Sequence, residues 1–377
     1  MFDFPILPEV APKSAWILSG MLYLLIISIY YKYAFSRSVI PNNYRRKHFL
    51  TFLVFLYCVT AIYCGDWVHL QTIVKESVGA EYIEGNSIER IYHYLANLLS
   101  GNYLLFRIVV WGIGLFFLMQ TFSMAKINPY KSLFFLFGIY ITSFAYSRAG
   151  CAHAAFYFGF MMLYQNRELR PMTSILMGIA LLALSVILHR SMVVLVALVP
   201  LAIIPFKKNT TLFIFTAIIG LFILWKAFFE NAIAFMMNSE EYAYRIELYE
   251  SLSGEHRFSF DINGVFFLWY KAIIHVPFIY CAILLIKRIN QSIVPSNIQA
   301  LFRFSIILYI FVIIMLSVYG SASALYYRYE AMLYIPITIM MAYLYQNKYM
   351  KRDVYVLIFF LCALSQFKDF LYRIIFV

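Results

Sequence analysis

Three arginines stand where apolar segments begin or turn: Arg148 in Ser147-Arg148-Ala149-Gly150, Arg190 in His189-Arg190-Ser191, and Arg328 in Tyr326-Tyr327-Arg328-Tyr329-Glu330. A guanidinium stays charged and presents a planar fork of donors that matches phosphate oxygens, so several on one side suit a lipid-linked phosphate or pyrophosphate. The competing role of each is to snorkel toward headgroups or to pair with a carboxylate such as Glu89 or Glu330. Two further residues can move a proton. His189 can shuttle one near neutral pH or hydrogen-bond a phosphate, or it is an interfacial group closing a helix. Asp66, in Gly65-Asp66-Trp67, is either a partly desolvated carboxylate that accepts a proton from a hydroxyl or the N-cap of a helix beginning at Val68. Ser191 completes the triplet with His189 and Arg190, and Tyr326 belongs to the aromatic cluster around Arg328. His153 follows Arg148 by five residues, about 140° round a helix, so the two need not share a face.

The elements that must position these groups follow from composition. The 377 residues are 63% hydrophobic, 20% aromatic and 13% charged, with a mean hydropathy of +0.78. A soluble domain carries roughly 25% charge, so an ordinary water-soluble enzyme is excluded. Apolar stretches run near 15–35, 49–65, 103–124, 131–147, 149–165, 172–188, 190–206, 211–229, 264–286, 302–319, 329–347 and 353–373. Each is read as a helix, because only a helix satisfies its own backbone in lipid. The expected architecture is all-α: one membrane domain, a polytopic transmembrane helix bundle of about twelve spans. The 172–206 stretch is one long tilted helix or two; His189-Arg190-Ser191 at its centre favours two, since charge at mid-bilayer is costly.

The short loops orient the bundle. Arg37, Arg45, Arg46 and Lys47 follow the first span, Lys126 and Lys131 the third, Arg167 and Arg170 the fifth, Lys207 and Lys208 the seventh, Lys287 and Arg288 the ninth, and Lys348, Lys351 and Arg352 the eleventh. With alternation all fall on one side, which is therefore cytoplasmic, and both termini face outward. The net charge of +12 thus reflects loops held by a membrane, and no basic run is long enough to track a nucleic acid. The opening segment reads as an anchor rather than a cleaved signal. Arg148, Arg190 and Arg328 break the rule by lying at the outer edge, where something must compensate them.

Two outer loops are long, about 66–102 and about 230–263. In the first, Ile88, Ile91, Tyr92, Leu95, Leu98 and Leu99 recur at helical spacing, which predicts an amphipathic helix on the membrane surface. The second is polar and either caps a cavity or is a solvated loop. The five cysteines lack metal-site spacing and read as packing residues. Arg107, Lys271 and His275 lie deeper, each a functional candidate or a pairing between helices. No glycine-rich phosphate loop or paired-carboxylate metal site is visible, so no metal and no cofactor is expected.

Gly65-Asp66-Trp67, Ser147-Arg148-Ala149-Gly150-Cys151-Ala152 opening a span, His189-Arg190-Ser191 before an apolar helix, and the late Tyr-Tyr-Arg-Tyr together resemble the Wzy-type polysaccharide polymerases, particularly the EpsG family of exopolysaccharide and O-antigen proteins. The resemblance runs in order from about residue 50 to 350, on short motifs. Asp66, Arg148, His189 with Ser191, and Arg328 occupy the places of that family's acidic residue, middle arginine, His-x-Ser and late arginine. Ala149 stands where a glutamine is typical, and His69 and Leu70 stand near the place of an Asp-x-x-Tyr repeat. The resemblance implies a multi-pass protein of the bacterial cytoplasmic (inner) membrane that carries out inverting glycosyl transfer on its outer face, moving a growing chain from polyprenyl diphosphate onto the next lipid-linked oligosaccharide. Asp66 or His189 would take the acceptor proton, while Arg148, Arg328 and Arg190, with His153, Ser191 and Tyr326 beside them, would hold the substrate. Implied partners are lipid-linked oligosaccharides and membrane lipids, with a chain-length regulator and a flippase in the same machinery. A flippase for the same lipids, favoured by Lys271 and His275, and a polysaccharide ligase are the competing readings.

Overall fold

The computed structural model describes residues 17, 20–28, 44–60, 66–82, 89–144, 147–165, 172–203, 262–289, 294–319 and 329–376. Among them the regular structure is helical, with no strand. Twelve helices are numbered in chain order. They are α1 (Tyr44–Thr60), α2 (Asp66–Glu76), α3 (Arg90–Leu98), α4 (Tyr103–Met124), α5 (Pro129–Phe144), α6 (Ser147–Leu163), α7 (Met172–Leu188), α8 (Met192–Leu198), α9 (Ile262–Ile289), α10 (Ser296–Tyr319), α11 (Tyr334–Gln346) and α12 (Arg352–Phe376). The apolar stretch 211–229 and nearly all of the loop 230–263 lie outside the described residues.

By length and composition, two described stretches can cross a membrane: α4, and Ser296–Ile313 of α10. The helix α7 and the stretch Met192–Ala202 are apolar but shorter. The centre of the bundle is α11, buried at every position from Tyr334 to Tyr345. Such a helix needs no polar face, because neighbours cover it all round. It packs against α5, α6, α9, α10 and α12. The outward faces of the surrounding helices are apolar: Leu105, Ile113 and Phe116 on α4, Leu176, Ile179 and Ile187 on α7, and Ile279, Ile283 and Ile286 on α9 are all exposed.

The helix that carries Arg148 and His153 is held by small residues. A Cβ on Gly159 of α6 would lie 2.8 Å from the carbonyl oxygen of Gly178 on α7, and one on Gly178 would lie 3.0 Å from that of Gly159. On the other flank, a Cβ on Gly114 of α4 would sit 3.4 Å from the Cα of Cys151. Close backbone approach of this kind replaces the hydrophobic effect as the means of association where the surroundings are apolar. The helices α4, α6 and α7 therefore form one tight layer.

The segment 66–102 carries two helices among its described residues, α2 and α3. Asn97 of α3 pins the turn that follows α2: its Nδ2 donates to the Ser77 carbonyl at 2.8 Å, and its Oδ1 accepts from the Gly79 N–H at 2.9 Å. Gly101 then turns the chain at φ +71°, with Val78 only 2.9 Å from where a Cβ would stand. Asn102 caps α4 by accepting the Leu105 N–H at 3.1 Å, as a helix N-terminus requires. The buried residues of α3 are Tyr92, His93 and Ala96, while Leu98, expected on the apolar face, is 78% exposed. Docking on α2, α4 and α7, rather than contact with lipid, selects which face is covered.

Over its described residues, 172–203, the apolar stretch that begins at Met172 is broken at His189 into two helices, α7 and α8. The helix α7 closes with the His189 N–H bonded to Ser185 O, the chain turns at Arg190 and Ser191, and the His189 carbonyl accepts the Met192 N–H at 2.9 Å to begin α8.

Candidate active site at the Glu89 junction

Glu89 is the N-cap residue of α3, with extended backbone (φ −67°, ψ 146°) and no side-chain cap. Its carbonyl takes the N–H groups of Tyr92 and His93, which starts the helix and releases the carboxylate for other partners. Oε2 accepts from Arg148 Nη1 at 3.0 Å, and Oε1 lies 3.0 Å from His189 Nδ1. One carboxylate thus joins the first turn of α6 to the end of α7. The Tyr92 hydroxyl adds a second tie from α3, donating to the Arg148 carbonyl at 3.4 Å.

The three side chains are half-sheltered: 11% of Glu89, 18% of Arg148 and 19% of His189 is exposed. Burial pushes the Glu89 carboxyl up, but the hydrogen bond with His189 and the nearby charges of Arg148 and His189 outweigh it and hold the carboxyl below its ordinary value. The α3 N-terminus favours the same ionised form. An anionic Glu89 directs Nδ1 of His189 to act as donor, which leaves Nε2 as the ring's accepting nitrogen. That is the tautomer of a general base.

The residues singled out from the sequence divide into three groups. Arg148 and His189 meet through Glu89. His153, buried on α6, lies within electrostatic range of His189. Ser191 stands beside them at the start of α8, helical in its own backbone and capping nothing; its Oγ is buried without a hydrogen-bond partner among the described residues. Arg190 turns away from Glu89. Its side chain is exposed and its Nη2 donates to the Tyr82 hydroxyl at 3.4 Å. Asp66 is the first residue of α2, and its side chain falls outside the described set, as do Tyr326 and Arg328 altogether.

Of the deeper ionisable groups, Arg107 and His275 join helices, and the Lys271 side chain lies outside the described residues. Arg107 is wholly buried; its Nε donates to the Val59 carbonyl at 3.0 Å and its Nη2 to the Cys58 carbonyl. These carbonyls belong to the last turn of α1, where the helix has no acceptors' partners of its own and a cation is favoured. His275 Nδ1 lies 2.8 Å from the Tyr309 hydroxyl, joining α9 to α10. Among the described residues no group of three or more His, Cys, Asp or Glu side chains is placed to hold a metal ion.

Glu89 is the residue that sequence reasoning missed as a site member, treating it only as a possible partner for an outer arginine. Its two partners come from 59 and 100 residues away, so no local pattern in the sequence joins the three. Compared with known proteins, the chain matches no family model, no curated protein and no solved structure.

Proposed function

We propose that the chain is a multi-span membrane glycosyltransferase that polymerises polyprenyl-diphosphate-linked oligosaccharides on the outer face of a bacterial cytoplasmic membrane. The observation that carries this reading is the shared Glu89 carboxylate, which sets an arginine at a helix start beside an oriented imidazole. In the reaction, the acceptor hydroxyl attacks the anomeric carbon of the donor and gives its proton to His189 Nε2. The bond from that carbon to the diphosphate oxygen breaks, and its electron pair leaves with the diphosphate. Arg148 lies where it can neutralise the departing anion, and Glu89 stabilises the imidazolium that forms.

The multi-span placement draws support from the two membrane-length helices and from the apolar exterior of α4, α7 and α9, an exposure out of keeping with water. Of the two residues that favour the transporter reading, His275 is bonded to Tyr309, and the Lys271 side chain lies outside the described residues. Reconstitution of the purified protein with lipid-linked repeat units, without nucleotide or added metal, tests the proposal by product sizing: a ladder of polymer supports it. Movement of intact lipid-linked units between leaflets with no change in size would establish transport instead.

A further inference from the structure

A pocket of about 500 Å³ opens on the outer segment between α2 and α3, with Glu81, Tyr82, Arg90, His93, Tyr94 and Asn97 in its wall. This volume falls within the roughly 300–1,000 Å³ of small-ligand sites. Its aromatic walls are fixed. The Arg90 guanidinium stands 5.8 Å from the Tyr82 ring centre and 5.6 Å from that of Tyr94, and Arg90 Nε donates to the Tyr94 hydroxyl at 3.2 Å. Asn97 spends its amide on Ser77, His93 and Gly79, so it shapes the floor. Tyr94 is nonetheless 56% exposed, an open ring face beside polar groups.

His93 backs the wall, its ring packed edge-on against Tyr82 with centroids 5.5 Å apart. It is only 4% exposed, its Nε2 lies 3.1 Å from the Ala80 carbonyl, and its Nδ1 is buried with no partner among the described residues. Because a carbonyl only accepts, Nε2 carries the hydrogen and Nδ1 is a bare acceptor. That acceptor is sealed within the wall, while the exposed Tyr94 face, with Glu81 and Arg90 at the rim, matches a ligand that combines C–H faces with hydroxyls. Carbohydrate has that chemistry, since its ring faces stack on aromatics while its hydroxyls donate and accept. We propose that the pocket is a saccharide subsite for the non-reacting sugars of the chain. It adjoins the Glu89 junction, because Glu89 and Arg90 are consecutive and Arg190 bonds Tyr82. The inference rests on the glycosyl-transfer reading and deepens it: remote sugars held here would position the reacting ring.

The full chain in lipid nanodiscs is probed by saturation-transfer difference NMR with maltose, cellobiose, lactose and N,N′-diacetylchitobiose, sugars free of lipid and phosphate. At least one receives saturation; Tyr94→Ala weakens its binding about tenfold, and Tyr94→Phe retains it. The proposal is overturned if none of the four binds, or if Tyr94→Ala leaves binding unchanged. Saturation reaching the Tyr94 ring from lipid acyl chains and not from sugar assigns the face to the bilayer and also overturns it. Polymer synthesis on lipid-linked units is scored separately, so sugar binding without synthesis contradicts the functional reading alone, and synthesis without sugar binding contradicts the subsite alone.

Discussion

Glu89 Oε1 stands 3.0 Å from His189 Nδ1 across 100 residues of chain, and the other oxygen of the same carboxylate holds Arg148. A single acidic side chain therefore decides both the tautomer of the imidazole and the position of the guanidinium. Replacing it separates the two effects. Glu89→Ala leaves the partly buried Arg148 guanidinium without its anion and His189 Nδ1 without its acceptor, and is expected to destabilise the protein by about 3 kcal/mol, read as a fall in Tm in detergent. Glu89→Gln keeps the shape but cannot enforce the Nδ1–H tautomer. It is expected to lower turnover by about 100-fold or more with a smaller loss of Tm.

The same carboxylate makes stability depend on acid. Because the Glu89 carboxyl lies below its ordinary value in the fold, the unfolded chain binds that proton more readily. The contribution is fully present above the unfolded pKa of about 4.3 and disappears as pH falls through the lower folded value. Thermal unfolding measured from about pH 6 down to pH 3 should show a loss in the native protein that is reduced in Glu89→Gln. Equal losses in both would remove Glu89 from the account.

The contact between α6 and α7 predicts an asymmetry among glycines. Gly159→Ala places a Cβ 2.8 Å from the Gly178 carbonyl oxygen, an atom that cannot swing aside, and should cost about 1–3 kcal/mol by overpacking. Gly112→Ala meets nothing within 4 Å and, lying inside α4, should be neutral or stabilising by up to about 1 kcal/mol. Membrane abundance and Tm of the two variants provide the comparison.

Arg107 offers a test between fold and function. Arg107→Met removes the donors to the Cys58 and Val59 carbonyls and should lower Tm by the cost of buried unpaired acceptors, about 1–3 kcal/mol each. Activity per folded molecule should be retained. A variant that folds normally but loses activity would assign Arg107 to substrate or ion handling.

Much of the helix layout was legible because continuous apolar runs leave the backbone little choice: 353–373 was expected and α12 spans Arg352–Phe376. The break at His189 was legible too, since a charged pair in the middle of a 35-residue apolar stretch marks a turn. The buried face of α3 was not. Periodicity in Ile91, Tyr92, Leu95 and Leu98 identifies an amphipathic helix, but the neighbours α4 and α7 choose the face, and they cover His93 and Ala96 while leaving Leu98 exposed. The junction itself was half legible. Arg148 stands out at the opening of an apolar segment and His189 in the triplet that interrupts another, whereas Glu89 is one of several acids in its loop and gains its meaning only from tertiary contact. The order of side chains around the ring of His189 cannot be read from spacing at all.

The most direct test of the account is product sizing in the reconstituted reaction with His189→Ala and Arg148→Ala, each matched for membrane abundance with the native chain. Loss of the base should reduce polymer formation by about 10²–10⁴-fold, and loss of the guanidinium by about 10²–10³-fold. Full-length polymer from either variant at the native rate would contradict the roles assigned to the residues that Glu89 brings together.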